Sequence, residues 1–108
     1  MSKSTKKSFK EIYSIAVQEG MSILGEGTAL ITSHIERKYS ISPAETFDNP
    51  KILSEALDDT IDGGARVVQR RILRLLYEKM SIKQPSSFMT TNFEDKVAQA
   101  RKDYELAT

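Results

Sequence analysis

Apolar residues recur at every third or fourth position through most of this chain, and the period breaks where glycine, proline or a capping residue stands, a pattern that builds helices and no sheet. It is clearest from Asn49-Pro50 to Leu76. Leu53, Ala56, Leu57 and Ile61 form one stripe and Ala65, Val68, Ile72, Leu75, Leu76 and Met80 a longer one, with Gly63-Gly64 between them. Two helices therefore meet at the glycine pair, with Asp62 placed to cap the second. No alternating run or hairpin dipeptide competes, so the expected fold class is all-α.

The same reading extends to both ends of the chain. Phe9, Tyr13, Ala16, Gly20 and Leu24, with Ile12 and Met21 beside them, predict a helix over residues 8–24 that Gly25 and Gly27 end. Leu30, Ile31, His34, Ile35 and Tyr39 predict a second over 28–39, with Arg37 and Lys38 in its last turn, where cations suit the helix dipole. Ser42-Pro43-Ala44-Glu45 reads as a capping box with proline at the first helical position. Pro50 disfavours α geometry at the residue before it, and Asn49 is placed to cap the next helix. Residues 81–91, with Pro85, Ser86 and Ser87, read as a loop or linker. Asn92 then caps a last helix in which Phe93, Val97, Ala100 and Tyr104 line one face.

The expected architecture is an irregular bundle of five to six helices. It divides into a basic, flexible N-terminus (1–8), a helical core domain (9–80), a linker (81–92) and a C-terminal helix (93–108). The polar linker allows that last helix to pack locally or to be exchanged in a dimer.

A length of 108 residues allows a single core. Cysteine is absent, which excludes disulfides and thiolate chemistry. No apolar run approaches the roughly 18 residues of a membrane span, and the lysine-rich start does not read as a signal peptide, so the expected location is cytoplasmic. The net charge of +1 conceals segregation. Residues 1–10 carry Lys3, Lys6, Lys7 and Lys10 without an acid; residues 11–62 carry ten acids against Arg37, Lys38 and Lys51; residues 63–83 carry six bases against Glu78.

Several stretches invite a chemical reading. Asp58-x-Thr60-x-Asp62-Gly63 resembles the start of an EF-hand loop, but Thr60 replaces an acid or amide at the third position and Gln69 stands where a bidentate Glu is needed. Helix capping accounts for the same residues, and neither metal nor cofactor is expected. Arg66, Arg70, Arg71 and Arg74 form a basic face that could follow phosphates, yet the acidic middle of the chain opposes a polyanion and no nucleic-acid motif is present. His34 is the only histidine and falls beside Leu30 and Ile31, which suits a core or rim position better than a general base. Gly25-Glu26-Gly27 lacks the rest of a phosphate-loop fingerprint and reads as a turn that lets helices approach. Glu55, Asp58 and Asp59 lie one helix before the arginines, so the two sets can bridge within one chain or across a two-fold interface. Ile23, Val67, Tyr77, Phe88 and Phe93 are apolar positions outside the main stripes and are the candidate interface residues.

The order Leu24-Gly25, Ile35, Tyr39, Asn49-Pro50, Leu53-Ala56-Leu57, Gly63-Gly64-Ala65, Ile72 and Leu76 resembles a small archaeal helical domain family, the Nitrosopumilus output domain and related stand-alone archaeal proteins. The similarity spans residues 23–77. The resemblance implies an output or interaction unit without known catalytic residues, acting with a separate regulatory protein because no sensor domain is fused here. The expectation is therefore a non-enzymatic interaction or signalling-output module that forms a homodimer. The alternative is a nucleic-acid-binding transcriptional regulator using Arg66, Arg70, Arg71 and Arg74.

Overall fold

The computed structural model describes residues 7–61, 63–88 and 92–107, and among these the chain is all-helical. Helix α1 (Phe9–Met21) starts at Ser8, whose Oγ accepts the Glu11 N–H at 3.2 Å while the Ser8 N–H donates to the Glu11 carboxylate. This capping box satisfies two N-terminal donors reciprocally. A 3-10 turn, Ser22–Leu24, follows directly, and Gly25 at φ 57° redirects the chain into α2 (Gly27–Tyr39). Residues Pro43–Asp48 form a 3-10 segment with a kink at Thr46. The capping box expected there is present: the Ser42 N–H donates to the Glu45 carboxylate at 2.8 Å and holds that carboxyl below its usual range.

Helix α3 (Lys51–Thr60) differs from expectation at its start. The Asn49 carbonyl accepts the Ile52 N–H at 3.0 Å, whereas the Asn49 side chain makes no hydrogen bond among the described residues. A backbone turn through Pro50 replaces the side-chain cap. Gly63, at φ 78°, turns the chain into α4 (Ala65–Met80), which ends at a left-handed Ser81. Asp62, the expected cap of α4, lies outside the described residues, as do Lys3 and Lys6. Helix α5 (Phe93–Ala107) follows the 81–92 segment, and the Asn92 carbonyl accepts the Lys96 N–H at 3.1 Å.

Packing centres on the contact between α1 and α4. A β-carbon built on Gly20 would lie 2.4 Å from Ile72 Cγ1 and 3.2 Å from Ile72 Cα, so the absence of a side chain at residue 20 sets the separation of the two helices. The close approach foreseen at Gly25-Glu26-Gly27 occurs here instead. Tyr13, fully buried on α1, is 2.7 Å from Thr46 Oγ1, and Thr46 in turn donates to the Pro43 carbonyl at 2.8 Å. The Thr46 proton is thereby spent, so the Tyr13 hydroxyl is the donor to Thr46. This relay fastens α1 to the 3-10 segment. Phe47 packs nearby, tilted against Phe9 at 5.8 Å between ring centroids and edge-on to Tyr13 at 6.3 Å.

Helix α5 packs against α3 and α4. Phe93, Val97, Ala100 and Tyr104 are all buried, as their spacing predicts, and they join the same core as α1, α3 and α4. Tyr77 donates to Asp103 at 2.6 Å, Gln99 donates to the other oxygen of Asp103 at 2.8 Å, and the Tyr104 hydroxyl donates to the Lys7 carbonyl. Ile82 and Phe88 of the intervening segment lean on the core, so residues 81–88 are more than a spacer.

Burial holds the Tyr13 and Tyr77 hydroxyls well above the ordinary tyrosine value of 10.0, with the Asp103 charge adding to the effect at Tyr77. A raised folded-state value means that the unfolded chain loses these protons first. Stability from this source is complete below about pH 10 and falls as pH rises through the folded values. Thermal melts across the alkaline range should show the decline, and Tyr13→Phe should make it shallower; an unchanged alkaline slope would show that Tyr13 does not contribute.

Candidate interaction site

Helices α3 and α4 and the first turn of α5 enclose an open groove of about 560 Å³. Exposed helix faces build its walls. On α3 the inward stripe of Leu53, Ala56 and Leu57 leaves Lys51, Glu55 and Asp58 on the outer side. On α4 the strict four-residue spacing puts Arg66 and Arg70 on one line, roughly 120–160° around the helix from Ile72. Leu73 and Phe93 are part of its lining and are almost completely buried, while Glu94 and Lys96 of α5 close one end.

Charge on this surface is divided and only partly satisfied. Lys51 lies 3.9 Å from Glu55 and Arg74 lies 3.9 Å from Glu78, both pairs one turn apart on a single helix and well exposed. Asp59 faces the other way, with its carboxylate 3.8 Å from His34 Nε2. Among the described residues no ion pair joins an acid of α3 to an arginine of α4, although Glu55, Asp58, Arg66 and Arg70 line the same groove. The bridging within one chain that their sequence positions allowed is not formed.

The four arginines do not share one face. Arg66, Arg70 and Arg74 are exposed, but Arg71 is rotated about 100° from Arg70, is half-buried, and has an Nε shielded from solvent without a hydrogen-bond partner among the described residues. Helical geometry made this separation readable in the sequence. The candidate interface residues also divide. Val67 is 55% exposed, about 20° around α4 from Arg74, and Ile23 is 49% exposed. Tyr77 and Phe93 are instead buried in the chain's own core, and Phe88 covers Tyr77 with ring centroids 6.3 Å apart. These three aromatics are used within the chain because α5 and the segment before it cover that flank of α4. Leu30, expected beside His34 on an inward face, is 66% exposed and is an apolar surface residue that the periodicity did not isolate.

The calcium-like stretch is helical through Thr60 and leaves the helix at Ile61. Asp58 lines the groove, Asp59 approaches His34, and the Thr60 hydroxyl donates to the Ala56 carbonyl at 2.6 Å, so the three do not converge; Asp62 is outside the described residues. Among the described residues no group of three or more metal-ligating side chains comes together, and no helix is long and apolar enough to cross a membrane. His34 sits at the rim, with its side chain one-third exposed.

Comparison with known proteins finds no matching family model, no similar curated protein and no similar solved structure.

Proposed function

We propose that this chain is a non-enzymatic, cytoplasmic helical interaction or signalling-output module that self-associates through the outer face of α4. The observation that carries the reading is Val67, an aliphatic side chain left 55% exposed on α4, about 20° around the helix from Arg74 and 60° from Arg70. An apolar contact flanked by cations is the composition of an interface in which the aliphatic group supplies burial and the charges set orientation. The resemblance to the archaeal output-domain family supports the same class and suggests a separate regulatory protein as a further partner.

Sedimentation equilibrium at tens of micromolar, where a few-micromolar dimer is well populated, should show a dimer. Val67→Glu should shift the population to monomer with the helical circular dichroism unchanged. A monomeric wild type at that concentration would overturn self-association.

A second reading is favoured by one specific observation: Arg66 and Arg70 are exposed and have no ion-pair partner among the described residues. Such cations can neutralise nucleic-acid phosphates, and the resulting affinity must fall as salt rises. A low-salt gel shift with generic duplex tests this, and retention of binding by Arg70→Glu with Arg74→Glu would exclude it. Glu55, Asp58 and Glu94 in the same groove weigh against a polyanion.

A further inference from the structure

We propose that the groove between α3, α4 and the start of α5 is the contact through which two copies of this chain pair, about a two-fold axis running along the groove. The inference rests on the self-association proposed above and supplies its geometry. Glu55 and Asp58 stand on the α3 wall with Lys51, which pairs with Glu55 at 3.9 Å and leaves that wall net acidic, and Arg66 and Arg70 stand on the α4 wall, the two sets lining one cavity without meeting across it. A two-fold axis in the plane of a contact turns the second copy face down and exchanges its left and right sides. With the axis along the groove, the partner's arginine wall lies over this copy's acidic wall, and this copy's arginines lie over the partner's acids. A surface antisymmetric in charge about a line is thus complementary to itself. A uniformly basic or acidic face would repel its own copy.

The side chains suit that arrangement. Arg66 and Arg70 are exposed, carry long flexible stems and have no carboxylate of their own among the described residues, and the groove has about 560 Å³ of open space to receive a partner's side chains. Guanidinium groups also fit carboxylates better than an ammonium does, since two parallel N–H donors can match two oxygens. The buried Leu73 and Phe93 beneath keep the groove lining fixed. Val67 lies outside the groove, about 60° around α4 from Arg70, so any apolar burial it supplies comes from beyond the arginine wall. Against a polyanionic occupant, three acids line the groove alongside four cations.

The test uses two reciprocal variants of the whole chain. Arg66→Glu with Arg70→Glu makes both walls acidic, and Glu55→Lys with Asp58→Lys makes both basic. Each variant alone should self-associate at least tenfold more weakly than wild type by sedimentation equilibrium. An equimolar mixture should restore association as a heterodimer, and that restoration should weaken as salt is raised. Milder single changes, Arg70→Gln and Asp58→Asn, provide the same comparison if a doubly reversed chain does not fold.

The outcomes separate the inference from the reading beneath it. A wild type that stays monomeric overturns both. A wild type that dimerises while each variant dimerises equally well removes the groove and leaves self-association standing. Weakening in each variant without rescue in the mixture overturns the wall-to-wall two-fold pairing.

Discussion

A Gly20→Val substitution should lower stability by about 3 kcal/mol or more, read as the shift of a urea unfolding midpoint. The new β-carbon would stand 2.4 Å from Ile72 Cγ1, and the Ile72 main chain lies close behind it, with N at 3.3 Å. Ile72 is fully buried, so its side chain has no open space to swing into. The helix itself would welcome the change, since glycine in a helix interior costs about 1 kcal/mol relative to alanine. That gain decides what the smaller substitution means: Gly20→Ala should still be destabilising, because overpacking a close-packed contact costs about 1–3 kcal/mol. A Gly20→Ala protein with a raised midpoint would show that α1 and α4 can separate by several tenths of an ångström at little cost, and the Gly20 contact would not be the determinant of their spacing.

Leu76→Ala should destabilise by about 2–5 kcal/mol, while Arg74→Ala, two residues earlier on the same helix, should change stability by less than about 0.5 kcal/mol. Leu76 is fully buried on the inner side of α4, among the residues that form the single core. Truncation there loses apolar burial and leaves a cavity that rigid neighbours fill only in part. Arg74 is exposed, and its contact with Glu78 is a one-turn surface pair of the kind worth about 0.3–0.5 kcal/mol. The contrast matters more than either value. Equal small effects at the two positions would place the inner side of α4 elsewhere and would remove the basis for the groove, which depends on Arg66 and Arg70 facing outward.

Much of the helix layout is legible one residue at a time. Phe93, Val97, Ala100 and Tyr104 are buried as spaced, and the Ser42–Glu45 box forms where its residues stand. Ser8 and Glu11 carry the same signal and mark the start of α1, although the periodicity alone suggested only an approximate boundary. Tyr77 is the instructive misplacement. Spacing put it outside the main stripe of α4, yet Phe88 packs over it and leaves it buried. Leu30 is the converse, an apolar residue beside buried Ile31 that no neighbouring helix covers.

The candidate site was legible only in its parts. Glu55, Asp58, Arg66 and Arg70 were recognisable as opposite charges on consecutive helices, and the 100° turn per residue was enough to separate Arg71 from Arg70. Their failure to bridge was not readable, because it depends on the distance between α3 and α4, and the first turn of α5 that closes the groove lies well beyond both helices in the chain.

By itself, then, the sequence determined that the chain is helical, where most helices start and stop, and the angle each side chain takes around its own axis, because these follow from local spacing, capping and backbone conformation. The tertiary structure alone decided which of those angles another helix covers: Gly20 against Ile72, Tyr13 against Thr46, α5 against α3 and α4, and acids and arginines held apart on two walls of one groove. The physical reason is that burial and charge pairing depend on distances between elements, and those distances are set by side-chain volumes meeting across the core rather than by the period within any one helix.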